Sequence, residues 1–305
     1  MAIPREEIAR LSRDLRQASE TLSDAEARYL VDAYYIQQED RKRSHAQERA
    51  LDSGGEPHAV IAWLAEQSGV LEREIVKALD TYSGKHVIGT WMRGVYGIGP
   101  VIAAGFLAHI YMGEWCSLCR GRSAQECTAR QQNKKLQLME HFFTPVVSCP
   151  TVGHIWAYAG MAGDQQKPWE RGQKRPWNSQ LKTLCWKASD VFVKFSNNER
   201  CFYGQVYRAR KQLEVERNDA LAFKPIAEAR LQREAARGKK TAEHAYHAAG
   251  LLSPGHLDLR ARRYAVKLFL AHLHGEWYRI AFGEPPPLPY PIAHLGHTHI
   301  IPPPT

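Results

Sequence analysis

Gly94, Gly97, Gly99 and Pro100 crowd into residues 91–111, WMRGVYGIGPVIAAGFLAHIY, and no uninterrupted helix accommodates that density of breakers. The flanking residues are apolar or small. Both facts are satisfied if one helix closes at Trp91 and Met92, Gly97-Ile98-Gly99 turns tightly, and a second helix opens at Pro100, where a missing N–H costs nothing. That is a helix-hairpin-helix. Its glycines permit positive φ and close backbone approach, Ile98 points into the core, and the exposed N–H groups at the start of the second helix can hold a phosphate oxygen. Such a motif binds backbone rather than sequence. The same residues also fit a glycine-rich turn between packed core helices, since Ala103, Ala104, Gly105 and Ala108 allow close contact. A dinucleotide-binding fingerprint fits less well, because Ile102 stands at its third small position and no β-rich run precedes the glycines.

The remaining pattern is helical, and the expected fold class is all-α. Residues 1–83 read as a helical N-terminal region, with Ser23 and Glu26 placed as a capping box ahead of Ala27, Leu30, Val31, Tyr34 and Tyr35. Asp52-Ser53-Gly54-Gly55 supplies a break, after which Val60, Ile61, Leu64, Leu71, Ile75 and Leu79 offer one apolar stripe. Residues 84–199 form the helix-hairpin-helix domain, with a Cys-containing insertion at 113–150. Residues 200–283 form a basic helical region: a long hairpin over 204–249 with Pro225 near the start of its second arm, then an amphipathic helix over 257–282. That helix is expected to bury Leu259, Tyr264, Leu268, Phe269, Leu273 and Trp277. Residues 284–305 are a Pro/His-rich tail, expected to be extended; its His294, His297 and His299 lack the rigid setting a metal site needs.

Charge narrows the function. The chain carries 41 Lys and Arg against 32 Asp and Glu, for a net of +9. Residues 167–187 and 200–267 together hold +13, so the rest of the chain is net acidic at −4. A surplus focused in this way favours a polyanion. Trp169 and Trp177 alternate with Lys167, Arg171, Lys174, Arg175 and Lys182, a mixture suited to neutralising phosphates and stacking on bases or sugars. Arg260, Arg262, Arg263 and Lys267 add a second basic group on the amphipathic helix. No apolar run of about 18 residues occurs, and the N-terminal residues MAIPREEIARLSRDL carry charges where a signal peptide needs an apolar segment; the expected setting is cytoplasmic, without membrane association.

Six cysteines are too few for a disulfide scaffold. Cys116-x2-Cys119 has the spacing of a zinc-knuckle half, and Cys127 and Cys149 complete a four-cysteine structural zinc set, with His141 and His154 as alternative ligands. Free cysteines in an inserted loop are the other reading.

Two stretches together, VYGIGPVIAAGFLAHI and TVGHIWAYAGMAG with the following RGQKRPWNSQLKTLCWKAS, resemble the C-terminal domain of DEDD insertion-sequence transposases of the IS-one-ten and IS-one-sixteen type, over residues 88–195. The resemblance implies a RuvC-like domain with four metal-binding acids, a helix-hairpin-helix domain bearing a serine nucleophile and, in some members, a bridge RNA. This chain departs from that pattern. Its first eighty residues read as helix, and residues 164–178, where the resemblance places the nucleophile, contain no serine; Ser179 and Ser189 are the nearest. The expectation is therefore a DNA-binding protein of a mobile element that grips duplex backbone through Gly97, Ile98, Gly99, Val101 and the basic residues named above, without chemistry of its own. Two alternatives stay open. One is an active recombinase or nuclease in which Asp24, Glu26, Asp32 and Glu39 converge on magnesium. The other is an RNA-binding or assembly protein that meets guide or structured RNA, or a second copy of itself, through its long helices.

Overall fold

The computed structural model describes residues 10–52, 59–128, 130–133, 138–141, 143–162, 169, 172–296, 298 and 300–304. It is all-α in class. Among the described residues there are twelve α-helices and four short strands, the strands forming two separate antiparallel pairs. The chain divides into two compact units, one comprising Met1–Gly94, Ile98–Pro150 and Glu276–Pro286, the other Val95–Gly97, Thr151–Gly275 and Pro287–Thr305. The cysteine-containing segment thus belongs with the N-terminal helices, and residues 151–275 stay together, where the sequence suggests breaks at 83 and 199.

In the first unit, α1 (Arg13–Ala18) leads into α2 (Asp24–Asp52), α3 (Ala59–Lys85) and α4 (Val87–Gly94). The capping box forms as the sequence suggests: Glu26 N–H donates to Ser23 Oγ at 3.3 Å, and Ser23 N–H to Glu26 Oε2 at 2.8 Å. Helix α5 (Pro100–His109) starts at its proline and buries every residue from Val101 to Ala108, which makes it the central rod of this unit. It packs against α2 and α3, and Arg28 on α2 donates to the Ala108 carbonyl at 2.5 Å.

The apolar stripe proposed for α3 is corrected in its first half, where Val60 is 60% and Leu64 50% exposed. The buried face is instead Ala65, Ser68, Gly69, Glu74, Ala78, Leu79 and Tyr82. Small residues set it, because they let α2 and α3 approach closely. The buried Glu74 is satisfied by Lys77 at 2.6 Å and by the Leu11 N–H at 3.1 Å.

Strand β1 (Glu114–Cys116) follows α5, then a hairpin of β2 (Arg130–Asn133) and β3 (Leu138–His141), and β4 (Pro145–Val147) returns antiparallel to β1 with Cys116 opposite Pro145. These strands are too short and too polar to show period-two patterning.

The second unit holds α6 (Val152–Tyr158), α7 (Ser179–Lys194), α8 (Phe202–Asp219), α9 (Lys224–Ala236), α10 (His244–Ala248), the part of α11 (Pro254–Phe282) up to Gly275, and α12 (Tyr290–His294). Asn178 caps α7 by accepting from the Leu181 N–H at 3.0 Å. Pro225 sits at the start of α9, as the sequence suggests. Helix α8 is no free strut: it buries Tyr203, Tyr207 and Glu214, and Tyr203 packs on Phe192 and Phe269.

The expected buried face of α11 is also rotated. Phe269 and Leu273 are buried, but Leu259 is 48% exposed, and Ala261, Ala265, Val266, Leu270, His272 and His274 complete the inner face. His272 is accommodated because its Nδ1 lies 2.8 Å from the Tyr203 hydroxyl and its Nε2 2.8 Å from the Ile301 carbonyl, which ties down the tail. The tail also contains α12, a turn of helix that its proline content hides. The His294 ring lies tilted against Tyr290 there, with centroids 4.8 Å apart; His297 and His299 lie outside the described residues.

Candidate phosphate-binding cleft and thiol cluster

The glycine turn has the expected backbone and a different use. Gly97 takes φ +95°, open to glycine at little cost, and a Cβ there would stand 2.6 Å from Val191 Cγ1 on α7. The close approach is therefore to a protein side chain. Ile98 and Val101 are both buried, so their side chains contribute nothing to an external ligand. Gly99 faces open space, and its carbonyl accepts the first bond of α5, from Ala103 N–H at 3.0 Å. By helix geometry the Val101 and Ile102 amides precede that bond.

The basic residues assemble more tellingly, around a cleft of about 210 Å³ in the second unit, lined among others by Gly160, Met161, Lys182, Trp186, Arg262 and Arg263. Gly160 takes φ +66° at the end of α6, where only glycine fits: a Cβ would lie 2.8 Å from Trp177 Cγ and 3.2 Å from Lys182 Cδ. Trp177 in turn carries the Lys182 ammonium 4.5 Å from its ring centroid. Trp156 does the same for Lys267, at 4.1 Å, while its indole N–H donates to the Lys267 carbonyl at 3.1 Å. Arg175 lies over Trp169 at 5.0 Å. Aromatic faces thus hold these cations in place.

Burial, followed by the charges of Arg263 and Arg175, pushes the Lys182 ammonium below the ordinary lysine range. Burial and then Arg263 do the same to Lys267. Among the described residues, none of Lys182, Arg263, Lys267 and Arg175 has a carboxylate within ion-pair distance. Like charges held together without acids are what an anion relieves.

Other residues expected to join them are otherwise engaged. Arg260 donates to the buried Glu214 at 2.6 Å, with Arg210 on the same carboxylate at 2.5 Å. Arg262 is neutralised by Asp258 at 2.6 Å and Asp190 at 3.2 Å, and its guanidinium covers Trp186 at 4.9 Å. Lys174 is exposed, and Lys167 and Arg171 lie outside the described residues. Ser189 lines the cleft, but its hydroxyl donates to the Trp186 carbonyl of its own helix at 2.6 Å.

In the first unit the sulfurs of Cys116, Cys119 and Cys127 lie within 4.8 Å of one another, a cluster able to hold a metal ion such as zinc. Arg120, directly after Cys119, takes φ +61° and returns its N–H to the Cys116 carbonyl at 2.8 Å, which folds the two-residue gap so that both thiols face the same way. A backbone hydrogen bond from Thr144 is the main influence holding the Cys116 thiol below its usual range. Cys149, expected as the fourth ligand, is outside the cluster; it follows β4 and burial raises its thiol instead. His154 is bonded to Thr151 Oγ1 at 3.0 Å, and the His141 side chain lies outside the described residues, although the hairpin register sets its backbone opposite Arg130. None of the six cysteines is in a disulfide.

The four acids of the alternative reading are all on α2, where Glu26 serves the capping box and Asp24 pairs with Arg122 at 2.7 Å. Among the described residues, the thiol cluster is the one metal-competent grouping of three or more Cys, His, Asp or Glu. No helix of the described residues is long and apolar enough to cross a membrane. Comparison with protein-family models, with curated proteins and with solved structures returns no match to this chain.

Proposed function

We propose that this protein binds nucleic-acid backbone, with the phosphates seated on Lys182, Arg263, Lys267 and Arg175 of the second unit. The observation carrying this reading is that Lys182 and Lys267, each held on a tryptophan face and depressed first by burial and then by the charge of Arg263, stand with Arg263 and Arg175 without an acid partner among the described residues. The resemblance of residues 88–195 to DEDD insertion-sequence transposases points toward DNA and a mobile element, and Gly99 offers a subsidiary phosphate contact. The test is duplex affinity measured against salt. Four seated phosphates predict a log–log slope of about −3 to −4, and a slope shallower than about −1 contradicts the reading.

A second proposal rests on the thiol cluster: Cys116, Cys119 and Cys127 hold a structural zinc that staples the segment between α5 and α6. Such an ion would hold the two-residue turn against the segment that carries Cys127. Metal analysis of the purified protein, with one zinc per chain expected and none after Cys116→Ser with Cys119→Ser, tests it.

A further inference from the structure

We infer that the cleft accepts an unpaired nucleotide, so that the preferred ligand is a single-stranded stretch of nucleic acid. This rests on the phosphate-binding reading of the same cleft and goes beyond it. A site for phosphate alone needs donors and charge; apolar surface adds nothing to it. Here the cations stand beside Met161, Leu259 and Val266, which give the cleft an apolar wall. Trp186 lines the same cleft and remains 48% exposed, although Arg262 covers part of its ring. An apolar wall, an exposed indole and cations with no acid partner match the three parts of a nucleotide. The base meets the indole and apolar wall, while the phosphate meets Lys182 and Arg263. In an intact duplex the bases are already stacked on their neighbours, and a cleft of about 210 Å³ has no room for a paired base and its partner strand.

The test compares anisotropy titrations of a labelled deoxythymidine oligonucleotide with a hairpin duplex carrying the same number of phosphates, at matched salt. Wild type, Trp186→Ala, Trp186→Phe and the double variant Lys182→Gln with Arg263→Gln are compared, with circular dichroism verifying their folding. The expected result is a preference of roughly tenfold for the single strand, which Trp186→Ala abolishes and Trp186→Phe largely keeps. The salt slope of Trp186→Ala should match wild type, whereas the double charge variant should flatten the slope for both ligands. Equal affinity for both ligands at a steep salt slope overturns this inference and leaves backbone binding standing. Equal loss on both ligands in Trp186→Ala also overturns it. Binding of neither ligand overturns both.

Discussion

Gly160 and Trp177 lie so close that a Cβ on the glycine would stand 2.8 Å from the indole Cγ. The consequence reaches Lys182, whose ammonium rests on the other part of that packing, 4.5 Å from the same ring. Glycine at this position therefore lets Trp177 pack against the end of α6, where the Asn178 N–H donates to the Tyr158 carbonyl at 2.8 Å. Gly160→Ala should destabilise the protein by about 1–3 kcal/mol, since it adds a strained φ to a steric overlap. It should also weaken nucleic-acid binding by displacing Lys182. Urea denaturation beside a binding titration measures both effects.

The two glycines of the hairpin turn should behave differently. Gly97→Ala meets Val191 at 2.6 Å with φ +95° and should cost about 1–3 kcal/mol. Gly99→Ala meets nothing within 4 Å and adopts φ −87°, so it should change stability by less than about 0.5 kcal/mol. If Gly99 approaches a phosphate closely, its alanine variant loses DNA affinity at unchanged melting temperature; unchanged affinity removes the turn from the binding surface.

The turn also shows what the sequence makes legible. Pro100 opening a helix, the Ser23–Glu26 capping box and the interruption at Gly97 are local events decided by residues within a few positions of one another. The buried faces of α3 and α11 are decided by their neighbours, so polar Glu74 and His272 sit inside because distant groups, Leu11 and Ile301, satisfy them. Cys149 fails to join the thiol cluster for the same reason: CxxC spacing is local, whereas a fourth ligand depends on how a hairpin returns. The cleft shares this character. Its cations come from α7 and α11, and nothing in the spacing separates Arg263, which stays unpaired, from Arg260 and Arg262, which are claimed by Glu214, Asp258 and Asp190.

Glu214→Ala is a direct check on that division. The carboxylate is fully buried and shared by Arg210 and Arg260. Its removal should cost about 3 kcal/mol, the low end for a broken buried pair, because both guanidinium groups keep partial access to water. Thermal or urea unfolding gives the value, and a change within about 0.5 kcal/mol would show the pair to be dispensable.

Acid should weaken the hold of Glu234 on the α9–α10 region. Hydrogen bonds from Thr241 and then His244 pull the Glu234 carboxyl from 4.5 down to about 2. A carboxyl depressed on folding contributes stability that is present above its unfolded value and lost as pH falls through its folded one, so the loss should run from about 4.5 to about 2. Glu234→Gln should flatten this limb of the stability–pH curve. An unchanged limb assigns the acid sensitivity elsewhere.

Thiol labelling separates the cysteines. Burial pushes the Cys185 thiol up to about 12, so it should resist alkylation in the native state. Cys119 is part-exposed and should react after treatment with a zinc chelator but not before. Equal labelling with and without chelator contradicts the structural zinc.

If unpaired cations around one cleft seat phosphates, the salt dependence of DNA binding must change in the triple variant Lys182→Gln, Arg263→Gln, Lys267→Gln. A control removes the same charge from Arg237, Lys239 and Lys240, which are exposed after α9. Seated phosphates require a log–log slope flatter by about two to three in the cleft variant and nearly unchanged in the control. Equal slopes in the two variants would show that net charge alone draws the nucleic acid, and that the cleft does not seat it.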